Sequence, residues 1–352
     1  AAAATNQITA SAGNQINILA NSNIATVDAS KKLAISLTAK TIDMSAGGVV
    51  IQARGGDISF TADTLLLTPI EGAAANTIQS LNTSGTQSTN GNLTITTYTA
   101  SRPILINNNS ISSALILGNG VFSGATVIQN YFNSVTIGSS SHTGQIIINS
   151  NASDSISLPN PVQILNSTSV GGAITVNGTI SNTSSWMSPY SGGNYGVVFA
   201  SAGPLNLNGS VNSVSGIYVN APIIVGAMNT SLLATNATNG NITIGSVTNQ
   251  GGNGATFTAN ATAALKVLGN SSLISNTGKF NINLDPSSLD LSGGNIVINA
   301  NGGNIYFQAD SMNFGSTLNG LSISSVGGQV MFGTTTPSVT MGINNVSNSI
   351  NL

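Results

Sequence analysis

Asp43 and Asp63 bracket a short stretch that also holds Arg54 and Asp57, and Asp285 and Asp290 flank one turn. These are the side chains that could do acid–base chemistry. Glycoside hydrolysis needs two carboxyl groups about 5–9 Å apart, one to protonate the leaving oxygen and one to activate water or attack the sugar. If the chain folds as stacked coils, Asp43 and Asp63 could lie on neighbouring coils and supply such a pair. Residues 1–72 also hold five of the nine acids and four of the seven bases. The reading adopted is that these charges form a solvated cap over the end of the stack, because an exposed sheet edge invites pairing and charge deters it.

The other chemical candidates are few. His142 is the only histidine and sits in SSSHTG, a loop-like context in which no Ser–Asp partner can be identified, so it reads as surface decoration. No Gly-Gly-x-Gly-x-Asp calcium repeat occurs, and Gly252-Asn253-Gly254 and Gly192-Gly193-Asn194 read as turns, since neither opens a helix that could receive a phosphate. No metal and no cofactor are expected. Trp186, Tyr190 and Tyr195 fall within one irregular patch, SNTSSWMSPYSGGNY (181–195). They are the candidate binding residues: exposed aromatic rings stack on sugars or partner surfaces, unless the loop folds them back onto the body of the protein.

Composition says what must hold these residues. Only 5% of the 352 residues are charged, against roughly a quarter in ordinary soluble domains. Glu occurs once, as Glu71, and Asn, Gly, Ser and Thr oppose helix throughout, so little or no helix is expected. Ile and Val recur along the whole chain, which argues against disorder. A net charge of −2 gives no footprint for nucleic acid. No segment reaches the ~20 apolar residues of a membrane-spanning helix. The absence of cysteine suits a cytosolic protein or a secreted fibre equally. The first residues, AAAATNQITA, carry neither Met nor a signal peptide, which leads us to expect processing or a longer parent polypeptide.

What remains is a grammar of short strands. Ile16-Asn17-Ile18, Leu93-Thr94-Ile95, Val135-Thr136-Ile137, Ile174-Thr175-Val176, Leu205-Asn206-Leu207 and Ile242-Thr243-Ile244 each put one polar residue between two apolar ones, then a turn rich in Asn, Gly or Ser. Such strands have one buried and one wet face, and they are too short to bury a core alone. Stacked in coils they would enclose an apolar column, so the expected fold is an all-β parallel β-solenoid, with the right-handed β-helix the expected hand. An all-β sandwich is the alternative, weakened by the shortness of the strands and the uncharged turns. At roughly 20 to 25 residues and two or three strands per coil, the chain would make about 14–17 coils and a rod about 70–80 Å long. Corner asparagines are expected to take left-handed conformations and stack as amide ladders. Asn-x-Ser/Thr triplets are frequent, but this composition produces them by chance. Residues 1–352 read as one solenoid, with a loop or linker at 71–91 and a projecting loop at 181–195.

GNITIGSVTNQGGNGATFTAN (240–260), LDLSGGNIVINANGGNIYFQAD (289–310) and VGGAITVNGTISN (170–182) resemble the passenger repeats of filamentous haemagglutinins and other secreted β-helix adhesins. The resemblance implies an extracellular or cell-surface, non-enzymatic rod: an adhesin shaft or a fibre subunit. Alternating residues at the C-terminus show no cap, so end-to-end homo-oligomers or filaments are expected, with glycans or cell surfaces as further partners. The alternative is a polysaccharide-binding or polysaccharide-degrading β-helix of the tailspike kind.

Overall fold

The structure, a computed structural model, describes residues 5–26, 28, 30–82, 90–122, 127–167, 174–191, 193–201, 203–226, 229–315, 320–335 and 342–344. It is a parallel β-solenoid of about 12 turns. Among the described residues the only helical element is a single 3-10 turn, Asn119–Val121.

Each regular coil contributes three strands, which stack into three faces. On the first face the inward column runs Ile35, Ile58, Leu93, Val135, Val162, Val197, Ile217, Ile242, Leu265, Leu289, Met312, with the exposed Ile8 stacked on Ile35 at its start, every step parallel and in register. On the second, Ile104, Ile146, Ile174, Leu205, Ile223, Val247 and Leu273 stack in the same way. The third carries Ile156, Ile180, Val211, Leu232, Ala259, Leu284, Phe307 and Phe332. Period-2 alternation turns every second side chain inward, so these columns meet in one continuous core. Burying each Ile, Leu or Phe contributes about 1.5–3 kcal/mol, and stacking equivalent positions lets the contribution accumulate coil by coil. In Ala255–Val267 the strand bends around a corner, its first half pairing on the third face and its second half on the first.

The number of turns is smaller than the 14–17 read from the sequence because many coils are longer than supposed. The coil that carries the chain from Val197 to its partner Ile217 is short. Those from Ile58 to Leu93 and from Leu93 to Val135 are much longer, the second about double the first-named. This longest coil contains a reversal. Ile104–Ile106 pairs with Ile146–Ile148 on one side and with Leu115–Leu117 on the other, so the chain steps back a layer before Ile128 bridges to Ile78. Within 71–91, Thr77–Gln79 forms a third-face strand, while 83–89 lie outside the described residues. Within 181–195, Ser188–Tyr190 and Gly193–Tyr195 form an antiparallel hairpin.

Corners carry the expected asparagines. Asn21, Asn107, Asn149, Asn270, Asn295 and Asn301 have positive φ. Asn107 Nδ2 donates to Asn149 Oδ1 at 2.8 Å, Asn208 Nδ2 to Asn177 Oδ1 at 2.9 Å and Asn295 Nδ2 to Asn270 Oδ1 at 2.9 Å, rungs of amide ladders between coils. Asn108, Asn166 and Asn182 head glycosylation triplets but are buried, each with its amide donating to a backbone carbonyl.

Candidate functional site

The acidic candidates prove to be corner pieces. Asp43 ends a second-face strand opposite Asn17 and Leu66, so the register does not set it over Asp63. Its Oδ1 accepts the Ser45 N–H at 2.8 Å and hydroxyl at 2.6 Å, closing its own turn. Asp63 is buried, and its two oxygens accept the Thr99 N–H and hydroxyl, both at 2.7 Å, tying it to the following coil. Asp57 accepts the N–H and amide of Asn92 in a similar way. Arg54 occupies a left-handed turn position, φ 50°, with its Nε buried. Of these four, Asp57 and Asp63 bridge coils from the side and Asp43 closes its own turn, rather than forming the expected solvated cap over the solenoid end.

Asp285 and Asp290 lie at and beyond the bend of the strand Phe280–Asp290. Asp285 accepts the Asn260 amide at 2.9 Å, and burial raises its pKa above the ordinary carboxylate value. Asp290 closes a turn at Ser292 and stands 3.9 Å from Lys266, the one salt bridge among the described residues and an exposed one, of little energetic weight.

His142 is not on the surface. It is 1% exposed, because the corner after Val135–Gly138 folds it under the preceding coil, where its Nδ1 lies 3.1 Å from Thr97 Oγ1. Nε2 is buried without a hydrogen-bond partner. Desolvation by burial pushes the imidazole pKa below its usual value, partly opposed by the backbone at Gln145 and Gly144. The folded form therefore holds a neutral ring, while the unfolded chain takes up a proton near pH ~6.5. Stability from this site is whole above that pH and declines as pH falls below it. Thermal midpoints are expected to drop between pH 7.5 and pH 5, and His142→Gln should flatten that dependence at a cost of about 1 kcal/mol near neutrality. Identical pH profiles for the two proteins would refute the assignment.

The aromatic candidates divide. Tyr190 and Tyr195, at the two ends of the hairpin, pack against Tyr218, with ring centroids 5.6 Å and 5.0 Å apart. Tyr218 is two coils beyond Gln163 in an outward row that reads Gln163, Val198, Tyr218, Thr243. The hairpin lies over this row, with Gln163 Nε2 donating to Ser188 Oγ at 3.0 Å and Tyr195 OH 3.4 Å from Thr243 Oγ1. Val198, Ala200 and Tyr218, with Leu165, Tyr190 and Tyr195, form a small second core outside the solenoid wall. Trp186 stays apart from it, 46% exposed.

Beside the hairpin a trough of about 290 Å³ opens along the corner between the first and second faces, lined by Ser140, Leu165, Asn166, Tyr190, Ala200, Ser201 and Asn220. A second recess of about 270 Å³ shares Ser201 and Asn220 and continues past Pro222 and Ser246 to Ser271. Burial, then the neighbouring Tyr218, raises the Tyr190 pKa, so the phenol stays protonated. Tyr218, Asn166 and Asn220 had no signal as site residues in the sequence. The one hint is the apolar run Val197-Val198-Phe199-Ala200, where both parities are apolar and the outward side therefore needs a cover.

A larger recess, about 550 Å³, lies where the chain doubles back, among Asn107, Asn108, Asn119, Ser150 and Asp154. Its carboxylate is engaged by the Ser150 and Asn151 N–H groups, and the amides of Asn107 and Asn108 are bonded to the neighbouring coil. Among the described residues no group of three or more His, Cys, Asp or Glu is placed to hold a metal. Among them, too, no helix is long and apolar enough to cross a membrane. No family model matches the chain, and neither a curated protein nor a solved structure matches it.

Proposed function

We propose that the chain is a non-enzymatic structural element of an extracellular or cell surface, the shaft of a β-helix adhesin or the subunit of a fibre. The observation that carries this reading is the unbroken parallel ladder of the first face, which makes the whole described chain one rod. The acidic candidates support it, since Asp43, Asp57, Asp63 and Asp290 each engage at least one carboxylate oxygen in a turn or a coil-to-coil bond. Self-association belongs to the proposal: the first described strand, Thr5–Ser11, pairs with Lys32–Thr38, and the same coil exposes Ile8 and Leu19 to a second copy.

Electron microscopy over a concentration series tests it. Rods about 60 Å long are expected from about 12 turns at ~4.8 Å each, lengthening into filaments as concentration rises. Compact particles would remove the shaft, and rods of constant length would remove self-association. Turnover of a polysaccharide that falls on neutralising Asp285 or Asp290 would replace the structural reading with an enzymatic one.

A further inference from the structure

We propose that the trough along the corner between the first and second faces is a binding groove for a linear, uncharged polysaccharide, with Tyr190 as its aromatic platform. The proposal rests on the surface-shaft reading only for where such a ligand would be met.

Shape is the first argument. Ser140, Asn166, Ser201, Asn220, Ser246 and Ser271 come one from each successive coil and line the two connected recesses. At ~4.8 Å per coil they extend for about 24 Å along the rod, which suits a chain of several sugar units better than a compact ligand.

Chemistry is the second. The lining offers hydroxyls, amides, Gly, Pro and aliphatic surface, and its one ionisable side chain, Tyr190, is held in the neutral form. An anionic polymer would need Arg or Lys to offset its desolvation, whereas neutral sugar hydroxyls exchange water for Ser and Asn. Asn166 is almost wholly buried in the wall: its Nδ2 donates to Gly144 O at 2.9 Å, while its Oδ1 is left without a partner by the protein.

Pre-organisation is the third. The Tyr190 ring is fixed by Tyr218 and by the hairpin, so a sugar stacking on it orders little that is not already ordered. A peptide is the poorer occupant, because peptides gain affinity by adding to an open strand edge, and here Val197–Ala200 and Ile217–Asn220 are paired on both sides.

Affinity electrophoresis of the full chain through gels containing dextran, mannan or a soluble β-glucan, with alginate as the anionic control, tests the groove. At least one neutral polymer should retard the wild-type protein. Asn220→Trp, which fills the trough from an exposed position, and Tyr190→Ala should each weaken retardation about 10-fold or more. Tyr190→Phe, which keeps the ring, should bind nearly as wild type, and Trp186→Ala should be without effect. If Tyr190→Ala unsettles the hairpin, Asn220→Trp decides. The proposal is overturned if no neutral polymer retards the protein, if alginate alone does, if Asn220→Trp binds as wild type, or if that variant instead abolishes association between copies. Rods in the microscope would be seen in every one of these cases, so failure of the groove is distinct from failure of the shaft.

Discussion

Asn76→Ala is expected to destabilise the N-terminal third of the rod by about 3 kcal/mol or more. Asn76 is 1% exposed and makes three hydrogen bonds to backbone: Nδ2 donates to Met44 O at 2.8 Å and to Leu67 O at 2.7 Å, and Oδ1 accepts from Val49 N–H at 2.9 Å. One side chain thus closes the turn between the second and third faces in successive coils. Removing it leaves the Val49 N–H and the Leu67 carbonyl dry and unpaired, each at about 1–3 kcal/mol less what relaxation and water entry recover, while Met44 O keeps only its bond from the Gly47 N–H. Denaturant unfolding measures the total, and hydrogen exchange at the Val49 amide locates it. Asn76→Asp gives a sharper version. Its carboxylate could still accept from Val49 but would face two carbonyl oxygens, so its folded pKa must rise. The folded state then binds the extra proton more tightly, and the lost stability should return as pH falls toward ~4. A change below about 0.5 kcal/mol for Asn76→Ala would mean that the amide is ornamental.

That residue also shows where sequence reading stops. Asn76 lies in the stretch 71–91 that composition marks as loop or linker, and nothing local distinguishes it from any other Asn in a chain full of them. The strands were legible because alternation is local: Leu33 to Leu37 carries its own inward and outward pattern, and the structure buries Leu33, Ile35 and Leu37. The coil count was not, because it depends on which strand lies over which. The short, even spacing of Val135, Ile146 and Ile156 is the spacing between faces. The spacing between coils is longer and uneven, varying about twofold on the first face alone, from the step Val197 to Ile217 up to the step Leu93 to Val135. The reversal at Leu115–Leu117 leaves no mark on the local pattern, since a strand that steps back alternates like one that steps forward.

The same division runs through the candidate site. Residue types named the carboxylates, but their roles are fixed by partners remote in sequence, such as Thr99 for Asp63. His142 reads as exposed because its neighbours are serines, yet burial at a corner is decided by the coils on either side. Tyr190 and Tyr195 were visible as neighbours in sequence; Tyr218 joins them because its strand, Ile217–Asn220, pairs directly with Val197–Ala200, which follows the hairpin. The trough is more remote still, being made of single corner residues drawn from successive coils.

Glycine supplies the second large effect and its own control. Gly56 sits where an added Cβ would come 2.3 Å from Leu33 O, and at Gly91 it would come 1.8 Å from Gly56 O. The pattern returns near the other end, where a Cβ at Gly303 would meet Phe280 O at 2.2 Å and one at Gly328 would meet Gly303 O at 1.9 Å. In each series the obstacle is backbone of the preceding coil, which cannot swing aside as a side chain can. Gly91→Ala and Gly303→Ala must therefore push coils apart and stretch ladder hydrogen bonds, an overpacking cost of about 3 kcal/mol or more. Gly13 and Gly118 have nothing within 4 Å of an added Cβ, and neither has a positive φ. Ala there restricts the unfolded chain without disturbing the folded one, so it should be neutral or stabilising by about 0.4–1 kcal/mol. Thermal melts of the four variants at one protein concentration give the comparison. Equal shifts at Gly91 and Gly13 would mean that coil spacing is not set by these contacts, whereas a large loss confined to Gly91 and Gly303 would identify the corner glycines as what lets successive coils approach to ladder distance.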